Sequence, residues 1–256
     1  CMVGLNGIAI DRIGVGFGGP VNKETGEVYT SYHIEGWRAF SIRKWLEDLG
    51  GCEVVVDNDA NVAALGETLY GAGKGYQRVL YVTLGSGVGA GLVIDRQIYH
   101  GAEPGEMEFG HIRLDRSGAT IQDKCSGWAV NQKIREVLKQ ETSTVLRELS
   151  IPFAGHEAKA LSEALSHNDP VAWKILSETM DDFSFGLSHA VHLLHPEVVI
   201  LGGGLAMLGE IIIQEVKKSL PNYLMDAFRP GPLIQLSALQ ESAVPIGAIA
   251  LAMQKN

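Results

Sequence analysis

Apolar residues in this chain form strand-length runs and helical stripes, with polar and glycine-rich stretches between them. Arg12-Ile13-Gly14-Val15-Gly16-Phe17 reads as a strand closing on Gly18-Gly19-Pro20. A turn from Asn22 to Gly26 and a second strand from Glu27 to Tyr32 follow. Ser41 can cap a helix whose stripe is Ile42, Trp45, Leu46 and Leu49, ended by Gly50-Gly51. Val54-Val55-Val56 predicts a fully buried strand, since β-branched residues favour that state. It runs straight into Asp57-Asn58-Asp59-Ala60-Asn61 and then into Val62, Leu65 and Leu69, a helical i, i+3, i+7 stripe. Arg78 to Leu84 and Val88 to Ile94 predict an apolar hairpin around Gly85-Ser86-Gly87. Residues 101 to 111 are too polar and glycine-rich for a core element. Helices are then predicted from about Ser126 to Lys139 and from about Glu157 to Leu165. A long one starts at the Asp169-Pro170 cap and stops at His195-Pro196. Val198 to Leu201 is a buried strand ending in Gly202-Gly203-Gly204, followed by helices from about Met207 to Leu220 and from Ile246 to Met253.

Bulk properties narrow the function classes. At 256 residues the chain can bury a sizeable core as one large domain or two smaller ones. Its longest apolar runs are strand-length, so no bilayer-spanning segment is expected, and no secretory leader is recognised. The net charge of −9, with no compensating Lys/Arg cluster, argues against a nucleic-acid surface in the visible chain. Cys1, Cys52 and Cys125 are scattered with no CxxC pair, which fits a reduced, cytoplasmic setting.

Three stretches carry candidate chemistry. A helix cap needs one of Asn58, Asp59 or Asn61, yet four carboxylates and amides crowd residues 57–61, at the carboxyl end of a strand, where open α/β sheets bind ligands. Thr83 to Gly91 has glycine at every second position from 85, leaving one face of an extended chain bare. Such a turn, flanked by the Thr83 and Ser86 hydroxyls, suits phosphate oxygens; close packing against another backbone explains it equally well. Glu106, Glu108 and His111 could bind several hydroxyls of a polyol such as a sugar, with solvated loop charge as the plainer account. His189, His192 and His195 recur along one helix, but no carboxylate or cysteine at matching spacing supports a metal there. The four tryptophans read as packing residues, with Trp37 the one to consider near a ligand.

In this order and spacing, the sequence resembles the ROK family of sugar kinases and sugar-responsive repressors, which share the actin-like, ribonuclease-H-like ATPase fold. The matching stretches are Gly14 to Val21, Ile34-Glu35-Gly36-Trp37, Asp57 to Asn61, Thr83 to Gly91, Gly105 to His111, Pro196 to Gly204 and Val244 to Ala248. The resemblance implies an α/β, two-lobed fold, with 1–66 plus 246–256 as the smaller lobe and 67–245 as the larger. It implies an ATP-dependent kinase that passes the γ-phosphoryl group to a hexose hydroxyl with Mg²⁺. Asp59 would be the general base; Asn58, Glu108 and His111 would hold sugar hydroxyls, and Gly19 would lie against the sugar. Thr83, Gly85, Ser86 and Gly87 would hold the ATP phosphates, and Gly203 and Gly204 would face the adenosine. The implied partners are a small-molecule sugar and, in a homodimer, a second copy of the chain.

The sequence departs from the family pattern in three places. The family's first strand and turn, with a phosphate- and Mg²⁺-binding Asp, precede the point where this chain starts, so the smaller lobe is expected without its first strands. The family's CxCGxxGC zinc cluster falls on Ile121 to Trp128 and keeps only Gly127, so no structural zinc is expected; Ile121 and Trp128 would substitute apolar packing. The family's next sugar-binding Glu falls at Val130. The rival to a kinase is a sugar-sensing regulator without catalysis.

Overall fold

A computed structural model describes residues 10–30, 34–103 and 107–254. The chain forms β1 (Arg12–Phe17), the two-residue strands β2 (Val21–Asn22), β3 (Glu27–Val28) and β4 (Phe40–Ser41), and α1 (Ile42–Gly50). Next come β5 (Glu53–Asn58), α2 (Asp59–Tyr70), β6 (Arg78–Leu84), β7 (Val88–Ile94) and β8 (Gln97–Ile98). Four helices follow, α3 (Ile121–Cys125), α4 (Gly127–Gln140), α5 (Val145–Ser150) and α6 (Leu161–Ser166). The last elements are α7 (Pro170–Leu194), β9 (Val198–Gly202), α8 (Glu210–Ser219), β10 (Leu233–Leu236) and α9 (Ala243–Met253). Among the described residues three sheets result, with strand orders β1-β5, β2-β3-β4 and β10-β9-β6-β7-β8. Residues cluster into two compact units, one from Cys1–Tyr81, Ala90–Met107 and Ser237–Asn256 and the other from Val82–Gly89 and Glu108–Leu236.

In the first unit β1 and β5 pair in parallel, with Gly16 opposite Asp57 and Phe17 opposite Asn58. Phe17, Val54 and Val56 join Val21, Val28 and Ile42 in a buried cluster. Trp37 packs onto it, stacked 4.4 Å from the Phe40 ring and 6.0 Å from Phe17. α2 and α9 pack against each other and against β1. A one-sided stripe of Val62, Leu65 and Leu69 is the sequence expectation for α2, but every residue from Ala60 to Thr68 is buried. The small residues Ala60, Ala63, Ala64 and Gly66 make that burial feasible, because neighbouring backbones can approach the helix closely. An added Cβ at Gly66 would lie 2.6 Å from the Ala243 carbonyl oxygen, and one at Gly91 of β7 would lie 2.6 Å from that of Ala60.

In the second unit β9 is buried along its whole length and pairs in parallel with β10. The long α7 packs on α3, α4, α6 and α8. Its ends follow the sequence: Asp169 accepts the Val171 and Ala172 N–H groups with Pro170 in the first turn, and His195 turns left-handed at φ 47°. Other boundaries moved for local reasons. The helix expected over 157–165 splits into a 3-10 turn at Glu157–Ala160 and α6. Gly209, at φ 75°, breaks the helix expected from Met207, so α8 starts at Glu210. The strand expected from Glu27 to Tyr32 is paired only at Glu27–Val28, and Tyr32 lies outside the described residues.

Candidate active site

At the end of β5 the chain enters α2 with no intervening loop. Asn58 is the N-cap: its side-chain oxygen accepts the Ala60 and Asn61 N–H groups at 2.9 and 3.3 Å. Its amide nitrogen donates to the Gly19 carbonyl at 3.2 Å. One side chain therefore starts the helix and holds the turn after β1. Asp59, the first helical residue, accepts the Ala60 N–H through Oδ1 at 2.8 Å. Its Oδ2 faces Gly18, where an added Cβ would sit 3.3 Å away. Asn58, Asp59 and the Gly18-Gly19 backbone thus meet around one strand–helix junction. Asn58→Ala is expected to cost about 1–2 kcal/mol of stability, read as a lower denaturation midpoint at unchanged slope.

The remaining polar residues of the junction do different work. Asp57 is buried, and its Oδ1 accepts the Asn58 N–H at 2.8 Å and the Asn61 side-chain amide at 2.9 Å. Its Oδ2 lies 2.7 Å from Nε2 of His100, a residue that no local sequence signal connects to it. The four polar side chains therefore resolve into a cap, a buried carboxylate–amide pair, and Asp59.

In the second unit the turn between β6 and β7 is tightly held. Gly85 N–H donates to the Gly87 carbonyl at 3.0 Å, and Gly127 N–H, in the first turn of α4, donates to the Gly85 carbonyl at 2.7 Å. Gln122 of α3 accepts the Val88 N–H through Oε1 at 3.1 Å, and a Cβ at Gly87 would lie 2.6 Å from that oxygen. Sequence reading missed Gln122, because its partner is 34 positions away. Gly203, at the end of β9, adopts φ 82°, and an added Cβ would lie 2.7 Å from the Thr83 hydroxyl and 2.6 Å from the Leu84 carbonyl carbon. Only glycine fits a left-handed position with backbone so close. Thr83, Gly85 and Gly203 are therefore neighbours, while Gly204 borders open space. Ser86 is exposed. The glycine-bearing face splits by use, since Gly91 is occupied by the first turn of α2, as the close-packing account expects.

Glu108 precedes and His111 ends the 3-10 turn Phe109–His111, anchored by the buried Phe109 against Phe183. Gly110 packs directly on the Val88 carbonyl. His111 Nε2 and Glu108 Oε2 are 3.7 Å apart, with side chains 67% and 57% exposed. Both are available to a ligand. Glu106 lies outside the described residues.

Trp128 does not substitute packing for a metal: it is 65% exposed, whereas Ile121 is fully buried against Gly186. Val130 is buried in α4. Burial pushes the Cys125 thiol up to about 12, so it stays protonated near neutral pH; it donates to the Thr179 carbonyl. Trp37 packs among aromatic rings, with Phe17 between it and Gly19. His189 meets Phe185 edge-on, His192 accepts the Met225 N–H, and His195 packs on Phe228. Among the described residues, no three His, Cys, Asp or Glu side chains are placed to hold a metal ion. No described helix is long and apolar enough to cross a membrane.

The model of the ROK family matches residues 6–255. The chain belongs to the ROK family. A glucokinase of Streptomyces coelicolor is 31% identical over 262 residues, 98% of this chain and 82% of that protein. A ROK family glucokinase from Streptomyces griseus, solved in complex with glucose and AMPPNP, superposes with a TM-score of 0.86 at 29% identity, covering 98% of this chain and 84% of that one. The mixed α/β architecture is accordingly the actin-like ATPase fold of ROK glucokinases. The family also contains regulators: the xylose repressor of Caldicellulosiruptor bescii is 24% identical over 250 residues, 93% of this chain and 61% of that protein.

Proposed function

We propose that this ROK protein is an ATP-dependent hexose kinase, with glucose as the first substrate to test. The observation that carries the proposal is the strand–helix junction, where Asp59 and the Asn58 amide border the Gly18-Gly19 backbone. A carboxylate beside hydroxyl-binding groups is what phosphoryl transfer requires of a protein, since positioning and a base supply most of the catalysis. Kinship with glucokinases, one of them solved with glucose and an ATP analogue, supports the same reading.

In this mechanism Asp59 accepts the proton of the attacking sugar hydroxyl. The hydroxyl oxygen bonds to the γ-phosphorus as the bond to the β–γ bridging oxygen breaks, and ADP leaves. Asn58, Glu108 and His111 bind the other hydroxyls, and Gly19 allows the sugar close to the backbone. The turn at Gly85-Ser86-Gly87 closes through its own Gly85 N–H, and its remaining N–H groups with the Thr83 and Ser86 hydroxyls are a donor set suited to phosphate oxygens. Gly203 packs on the Thr83–Leu84 strand end, and Gly204, which borders open space, leaves room for the adenosine. This donor set fits a nucleotide that brings Mg²⁺ on its own phosphates, and the ion, when bound, neutralises phosphate charge.

Incubation with ATP, Mg²⁺ and a hexose panel should yield sugar-dependent ADP; absence of ADP with every sugar would sink the kinase reading. Gln122→Ala is expected to raise the ATP KM about tenfold, the equivalent of one lost hydrogen bond, with the sugar KM unchanged. Initial-rate kinetics in both substrates check this. Kinship with the xylose repressor supports the rival, a sugar-sensing regulator. Sugar binding without phosphoryl transfer would favour it.

A further inference from the structure

Asp57 and His100 sit behind the junction, within the first unit. Asp57 is 4% exposed and accepts three donors, the Asn58 N–H, the Asn61 side-chain amide and His100 Nε2. A buried carboxylate is costly unless its oxygens are paired, and a carboxylate only accepts, so the imidazole nitrogen is the donor. Oδ1 is committed to the helix start, and Oδ2 to His100. Asp57 precedes the cap residue and lies two positions before Asp59. Its bond to Asn61 crosses the first turn of α2, the turn that carries Asp59. β7 closes the other side of that turn, where Gly91 lies against Ala60 and Asn61. The segment bearing His100 is tied down again three residues later, where Glu103 accepts from the Asn22 amide at 2.9 Å.

We propose that His100 is a positioning residue for phosphoryl transfer: by donating to the buried Asp57 carboxylate it fixes the first turn of α2, and with it the direction of the Asp59 carboxylate. In this role it acts through Asp57 rather than through contact with the substrates. This role presupposes the kinase reading above. Its signature is a loss of turnover without loss of sugar binding, because the turn that would hold the proton acceptor moves while the Asn58–Gly19 bond stays. Small displacements of a reacting group can cost about a hundredfold in rate.

The test compares His100→Ala, His100→Gln, Asp57→Asn and the Asp57→Asn/His100→Ala double variant, each by steady-state kinetics and thermal melting. His100→Ala removes the donor, and kcat is expected to fall roughly 10- to 100-fold with the sugar KM within about threefold of wild type. The side-chain amide in His100→Gln can reach Asp57 from the place of Nε2, so this variant is expected to recover most of the turnover. The double variant is expected to be no slower than the worse single one, the non-additivity of groups acting as one unit. Unchanged kcat in His100→Ala, or failure of His100→Gln to recover more turnover than alanine, would overturn the role and leave the kinase reading standing. So would a loss of kcat that merely tracks melting temperature across all four variants. A wild-type protein that phosphorylates no sugar would overturn both.

Discussion

Asp59→Asn is expected to lower kcat about 10²- to 10⁴-fold while leaving the sugar dissociation constant within about threefold of wild type. The substitution keeps volume and shape. Its side-chain oxygen can still accept the Ala60 N–H now held at 2.8 Å, so the start of α2 is preserved. The cap itself is Asn58, which remains. What disappears is the capacity to take a proton from the attacking hydroxyl. A purely structural Asp59 predicts the opposite pattern, with altered melting and little change in turnover. Steady-state kinetics beside calorimetric sugar titration separates the two.

Glu67→Gln is expected to destabilise the protein by about 1–6 kcal/mol, against the 5–15 kcal/mol typical of a folded domain. Glu67 is fully buried, and its carboxylate takes four donors. Oε1 accepts the Ser237 hydroxyl at 2.5 Å and the Leu239 N–H at 2.8 Å. Oε2 accepts the Ala72 and Ala238 N–H groups at 2.8 and 3.3 Å. The residue thus ties the end of α2 to the segment leading into α9. An amide offers one oxygen, so its NH₂ must face either the Ala72 and Ala238 N–H groups or the Leu239 N–H, with the Ser237 hydroxyl turned to accept, and each donor left unpaired costs about 1–3 kcal/mol. A melting temperature lower by roughly 10 °C is the expected reading. An unchanged melting temperature would show that the surrounding backbone relaxes at little cost.

These effects fall where sequence reading was strong and where it was blind. The valine run, the β6–β7 hairpin and the Asp169-Pro170 helix start were legible because each is encoded by adjacent residues: burial, turn glycines and a cap. The short strand β10 and helix α5 were not expected. Leu233–Leu236 becomes a strand by lying beside β9, a partner more than thirty positions away. Trp128 misled because an aromatic residue beside a former metal motif suggests packing, yet the outward face of α4 leaves it in solvent. At the junction, the excess of polar groups was visible, but their division of labour was not. Asp57, Glu67 and Gln122 acquire partners only through folding, at His100, Ser237 and Val88, and no periodicity in the sequence marks those distances.

Transfer of the γ-phosphoryl group of ATP to a sugar is the decisive property. Wild-type protein incubated with γ-labelled ATP, Mg²⁺ and glucose or another hexose should yield labelled sugar phosphate, and Asp59→Asn should form it orders of magnitude more slowly. A folded protein that binds the sugar but leaves all label in ATP or in inorganic phosphate would contradict it.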